Sequence, residues 1–147
     1  MEITFDMIRV GAEYRSAGRT VTEADIVNFA GISGDFNPLH TDEEWVRANT
    51  PFPTRIAHGL LVHALGEGLR CPELDGWKII AFLETQRNML LPVLPGDRIC
   101  QNYRVTATTP SSKNPSRGVV EVEVAITNQK GETVQSGYNK YLIGGAE

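Results

Sequence analysis

The chain has 147 residues, 41% hydrophobic and 22% charged, with a formal net charge of −4 and a pI near 5.4. This length supports one domain, residues 1–147, with a sizeable core and no second one, and the acidic balance argues against a nucleic-acid or anionic-membrane surface. No apolar run approaches the roughly 18 residues of a membrane span, no signal pattern opens the chain, and Cys71 and Cys100 lack metal-ligand spacing, so the expected setting is a reducing cytoplasm.

Residues 1–12 read as a lead-in and residues 14–20 as a short, weakly patterned strand. Thr22 is a good N-cap, with Glu23 and Asp25 in the first turn, where the helix dipole favours negative charge. Ile26, Phe29 and Ala30 then fall on one helix face, and Gly34 suits the C-terminal cap. Residues 33–40, Ser-Gly-Asp-Phe-Asn-Pro-Leu-His, follow at once. Gly34 can turn left-handed and Pro38 keeps Asn37 out of the helical region, so this stretch is expected to be neither regular helix nor strand. Thr41 and Glu44 form a capping-box pattern for a short helix through Trp45, Val46 and Ala48, which residues 50–53 break. The Asp35–His40 loop is therefore expected between two helix ends, which holds it rigid.

Residues 56–69 are apolar on nearly every side, and as a helix they should be mostly buried. Gly59, Gly66 and Gly68 each cost about 1 kcal/mol in a helix interior, which implies close backbone approach to a sheet or a ligand. A helix starting near Ala57 or His58 puts Gly59 in the first turn, its N–H free of intrahelical partners and unshielded: a candidate oxyanion donor. From Trp77 the text turns to strands: 78–89, a turn at 92–97, alternation from Ile99 to Ala107, a polar loop at 109–116, clean alternation of Val120, Val122, Val124 and Ile126, a turn at 129–131, and a last strand at 133–143. Helix first and hairpin-linked strands afterwards read as α+β, an antiparallel sheet packed on a helix.

Asp35 and His40 place a carboxylate and an imidazole on one bent loop, able to converge on one small molecule, which we read as a water. Asp35 taken alone makes an Asx turn after a helix end, and a lone His40 is more often structural; together they suit acid–base work on a water. Asn37 is expected to hold the loop through its own side chain, and His58 to be structural.

Phe29-Ala30 with residues 33–40, then Ile56-Ala57-His58-Gly59, then Leu91-Pro92-Val93 with Gly96-Asp97, resemble the MaoC-like dehydratases, which include the (R)-specific enoyl-CoA hydratases. The resemblance spans residues 10–143. It implies a hot-dog fold, in which an antiparallel sheet wraps a central helix, and homodimers. It also implies reversible hydration of trans-2-enoyl-CoA to (R)-3-hydroxyacyl-CoA. By the same resemblance Asp35 and His40 hold the catalytic water and the Gly59 N–H polarises the thioester carbonyl. No metal or redox cofactor is implied; coenzyme A enters only as part of the substrate.

His63 and Glu67, at i and i+4 on the central helix, depart from the apolar or small residues usual in members acting on straight acyl chains. They either bond to each other at a polar boundary or line the acyl pocket and select a polar group. A metal shared by His40, His58 and His63 is not expected, because His58 and His63 lie about 140° apart around a helix. Arg87, Arg98, Arg104, Lys113 and Arg117 are candidates by charge for the coenzyme A phosphates. Two other functions remain open: a hot-dog acyl-CoA thioesterase and a non-catalytic acyl-thioester-binding subunit.

Overall fold

Four long antiparallel strands carry the architecture, and the computed structural model describes residues 1–146, so that Glu147, the last residue of the expected domain, lies outside the described residues. After a 3-10 turn at Phe5–Met7, two short strands, β1 (Glu13–Arg15) and β2 (Arg19–Thr20), precede helix α1 (Glu23–Ser33). Four further helical segments follow: α2 (Pro38–Thr41), α3 (Glu43–Asn49), the central helix α4 (Gly59–Glu67), and α5 (Pro72–Asp75), which closes the helical half. The long strands follow, β3 (Ile79–Met89), β4 (Arg98–Pro110), β5 (Gly118–Thr127) and β6 (Thr133–Ile143). They order as β1-β4-β5-β6-β3, with β2 also on β4.

The strand expectations hold because alternation and burial agree. Val120, Val122, Val124 and Ile126 are all buried along β5, the inward half of a period-2 pattern. The sheet's central strands are thereby pinned in register, since a one-residue slip would turn four aliphatic side chains outward. β4 runs further than expected, to Pro110 paired with Gly118, which shortens the polar loop; proline is tolerated where the ladder ends. The weak strand at 14–20 is two separate pieces, both paired to β4.

Helix α4 lies against this sheet at bonding distance. A Cβ on Gly66 would sit 2.4 Å from Gln101 Oε1 and 2.7 Å from Ile126 Cδ1, so only glycine lets the helix backbone come this close. This is the hot-dog arrangement of a sheet curved around one helix. One apolar cluster, with Val21, Ile26, Ala57, Leu61, Val62, Ile99 and Ile126, joins α1 and α4 to the sheet. A second, with Phe5, Trp77, Tyr103, Val120 and Tyr141, seals the other end. Both cysteines are free and buried.

Two local expectations are corrected. Residues 38–41 are helical after all: Pro38 sits at the first helical position, where its missing N–H costs nothing, and Asn37 caps it through Leu39 N–H. The cap of α3 is Asp42 rather than Thr41. Its Oδ1 accepts from Trp45 N–H at 3.0 Å, while the Thr41 hydroxyl donates back to the Phe36 and Asn37 carbonyls. Helix α4 is also less buried than expected, because Leu60 is 65% exposed, so one of its faces has no cover within the chain.

Candidate active site

The loop carrying Asp35 is shaped by a chain of local hydrogen bonds. Thr22 and Asp25 form a reciprocal capping box that starts α1, and Gly34 ends it at φ +76°. Asp35 N–H then donates to Ser33 Oγ at 3.1 Å, and Asp35 Oδ1 accepts from Asn37 N–H at 3.1 Å. Asn37 Oδ1 accepts in turn from Leu39 N–H at 3.0 Å. The Asx turn and a free carboxylate oxygen coexist, since Oδ1 serves the turn and Oδ2 is left for something else.

That second oxygen faces His40. Nδ1 of His40 lies 2.7 Å from the Ile56 carbonyl, which can only accept, so this nitrogen carries a hydrogen and, in the neutral ring, Nε2 is the acceptor. Nε2 and Asp35 Oδ2 are 3.9 Å apart, beyond a direct hydrogen bond. Two acceptors at that separation fit one water that donates a hydrogen to each; with bonds of about 2.8 Å the angle at the water is about 90°. The water's lone pairs then point away from both groups.

Gly59 is the first residue of α4, with His58 at the N-cap, so its N–H has no intrahelical acceptor. It lines a cavity of about 410 Å³ together with His40, Leu39, Phe52, Val62 and Met89. The walls are otherwise apolar, and the one further polar residue is Gln135, whose Nε2 donates to the Gly59 carbonyl at 2.8 Å. His40, from a one-turn helix, and Gly59, from a helix start, share this cavity, while Asp35, from the loop, is not among its lining residues and meets it through His40. Gln135 went unnoticed in the sequence; the signal was a glutamine at a buried position of β6 directly opposite Met89.

His63 and Glu67 lie outside this cavity. His63 Nε2 is 4.0 Å from Glu67 Oε1 and bonds to Thr85 Oγ1 at 2.9 Å. Glu67 is the centre of a buried network: Oε1 takes an ion pair from Arg87, whose side chain is 1% exposed, and bonds from Asn139 at 2.8 Å and Gln101 at 3.1 Å. Burial pushes His63 below its usual pKa, with the Arg87 charge adding to the effect. Burial likewise raises the Tyr141 phenol, as does the Glu67 carboxylate beside it. The i, i+4 spacing was legible, but its partners on β3, β4 and β6 were not. Arg87, committed to Glu67, is removed from the candidates for coenzyme A phosphates, and Arg104 is paired with Glu123.

Asp35, His40 and His58 also bring one ligand-type atom each within 4.8 Å of one another. Their geometry suits a metal poorly. The His40 and His58 rings are stacked, centroids 3.8 Å apart at 26°, so their in-plane lone pairs run alongside each other instead of converging. The 3.9 Å between Asp35 and His40 also exceeds the about 3.3 Å spanned by two ligands on one tetrahedral zinc.

Residues 7–129 match the family model described as MaoC like domain. The (R)-specific enoyl-CoA hydratase of Rhodospirillum rubrum is 34% identical over 109 residues, 74% of each chain. The (R)-specific enoyl-CoA hydratase of Aeromonas caviae is 37% identical over 100 residues, 68% of this chain and 72% of that one. The crystal structure of the MaoC-like dehydratase from Rhodospirillum rubrum superposes with a TM-score of 0.83 at 28% identity, covering 99% of both chains. With the motif, the sheet order and the site geometry all pointing the same way, the chain belongs to the MaoC-like dehydratase family.

Proposed function

We propose that this chain, a hydro-lyase, reversibly hydrates a trans-2-enoyl-CoA to an (R)-3-hydroxyacyl-CoA at the Asp35–His40–Gly59 site. The observation that carries the reading is the 3.9 Å spacing of His40 Nε2 and Asp35 Oδ2 beside an apolar cavity lined by Gly59. The enoyl thioester lies in the cavity with its carbonyl oxygen on the Gly59 N–H. The water, both hydrogens held, directs a lone pair at C3. As the C3–O bond forms, the C2=C3 electrons move toward the thioester oxygen, where the N–H at the helix start stabilises the enolate-like charge. One water hydrogen passes to the Asp35–His40 pair and is returned to C2, so H and OH are added across the double bond. Dehydration is the same path reversed. Neither a metal nor a redox cofactor takes part.

The functional unit is proposed to be a homodimer. Strand β3 pairs with β6 alone among the described strands, and it exposes Ile79, Ile80, Phe82 and Leu83 on an eleven-residue edge. A long apolar edge of this kind promotes uncontrolled association unless it is covered. A second copy supplies a matching edge.

Incubation with crotonyl-CoA, following enoyl absorbance and free thiol together, with and without a chelator, tests the reaction. Loss of absorbance with no thiol, unaffected by the chelator, is expected. Thiol release would instead indicate a thioesterase. No change with crotonyl-CoA or with a panel of longer, branched and polar enoyl thioesters would leave a binding subunit. No helix among the described residues is long and apolar enough to cross a membrane.

A further inference from the structure

His58 touches both halves of the proposed site without facing the cavity. It is 3% exposed, forms the N-cap of α4 and directly precedes Gly59. Its Nε2 lies 3.0 Å from the Asp35 carbonyl oxygen, so the hydrogen is on Nε2. Its ring stacks on His40, and the Phe29 ring from α1 meets it edge-on at 4.9 Å. Nδ1 is buried with no partner.

We propose that His58 is a positioning residue: it locks the Asp35 backbone and the His40 ring plane to the start of α4, and so sets where the water lies relative to the Gly59 N–H. The inference rests on the hydratase reading above. Its physical basis is the shortness of the connection. Ile56 holds His40 Nδ1 through its carbonyl, and two residues later His58 backs the same ring and grips Asp35. Residues 56–58 are themselves fixed, because Ile56 N–H donates to the Leu39 carbonyl at 3.2 Å and Ala57 N–H to the Val93 carbonyl at 2.8 Å. The Asp35 side chain is half exposed and its Oδ1 is held within its own loop by Asn37 N–H, so the His58 hydrogen bond to the Asp35 carbonyl ties that loop, and with it the spacing of the carboxylate to His40, to the start of α4. A displacement of about 1 Å costs on the order of 10²-fold in rate, even when substrate binding is untouched.

The test compares three variants. In His58→Gln the amide nitrogen reaches the former Nε2 position and keeps the donor to Asp35. His58→Phe keeps the stacked ring and loses the donor. His58→Asn is polar but too short to reach the carbonyl. Expected are a kcat about 10²-fold lower for Phe and Asn with KM changed less than about threefold, and recovery to within about fivefold of wild type for Gln. Activities are referred to folded protein measured by circular dichroism; if the Phe variant does not fold, Asn against Gln carries the comparison. Wild-type kcat in Asn or Phe, equal losses in Gln and Asn, or a loss confined to KM would overturn the proposal. Failure of the wild-type chain to hydrate any enoyl thioester would instead overturn the reading on which it rests, so the two failures are distinguishable.

Discussion

His40 Nε2 stands 3.9 Å from Asp35 Oδ2, while the opposite nitrogen of the same ring donates to the Ile56 carbonyl at 2.7 Å. One hydrogen bond thus sets the tautomer that the other contact needs. Replacing either side chain should remove one of the water's two acceptors. Asp35→Asn and His40→Ala are each expected to lower kcat by about 10²- to 10⁴-fold, with the double variant far less than multiplicative, because the two act on one molecule. Steady-state hydration of crotonyl-CoA measures all three.

Gly59 is a different kind of requirement. A Cβ there would lie 3.1–3.2 Å from the flexible Met89 side chain, which can give way, so Gly59→Ala should fold with little change in thermal midpoint. The added methyl nevertheless occupies the surface a thioester must approach to reach the N–H. We expect kcat/KM to fall by at least about tenfold while stability is kept, in line with loss of an oxyanion donor.

The Glu67–Arg87 pair should matter to stability. Arg87→Leu leaves the Glu67 carboxylate largely buried without its cation, a change that typically costs about 3–5 kcal/mol; exposure of a fifth of the Glu67 side chain argues for the lower end. Glu67→Leu combined with Arg87→Leu should recover a substantial part of that loss. Urea denaturation of the three proteins decides it.

His63 contributes a pH dependence of definite sign. Burial holds its pKa in the folded protein below the ordinary value of 6.5, so above that pH both states are neutral and its contribution is intact. As pH falls through about 6.5 the unfolded chain binds a proton first, and stability declines until the folded pKa is passed. The difference in thermal midpoint between wild type and His63→Gln should therefore shift against wild type on going from pH 7.5 to pH 5. A difference independent of pH would contradict the argument.

Leu83 is exposed on the unpaired edge of β3. Leu83→Lys places a charge where a second edge is proposed to pair, and a lysine on an edge opposes strand addition. Sedimentation should show wild type as a dimer and the variant shifted toward monomer.

Much of this was legible in the residues themselves. Thr22, Gly34 and the alternating valines of β5 act through neighbours one to four positions away, or through a period-2 pattern, and such effects survive without knowledge of the fold. Gly59 could be placed at a helix start because its meaning lies in the first turn alone. The errors at Thr41 and at residues 38–41 were also local: two capping residues in succession compete, and Pro38, which excludes Asn37 from a helix, is itself a favourable first helical residue.

What the chain alone determined is the inventory: a carboxylate and an imidazole on a punctuated loop, a glycine at a helix start, and an alternating sheet. Tertiary structure decided how these meet. The Ile56 carbonyl on Nδ1, the His58 ring against His40, Gln135 on Gly59 and Arg87 on Glu67 join residues 16, 18, 76 and 20 positions apart. Such contacts depend on how the sheet curves round α4, which no local pattern encodes. The motif of residues 33–40 names the groups that can hold a water, and the contacts of residues 56–58 with that motif bring His40 into the cavity that Gly59 lines.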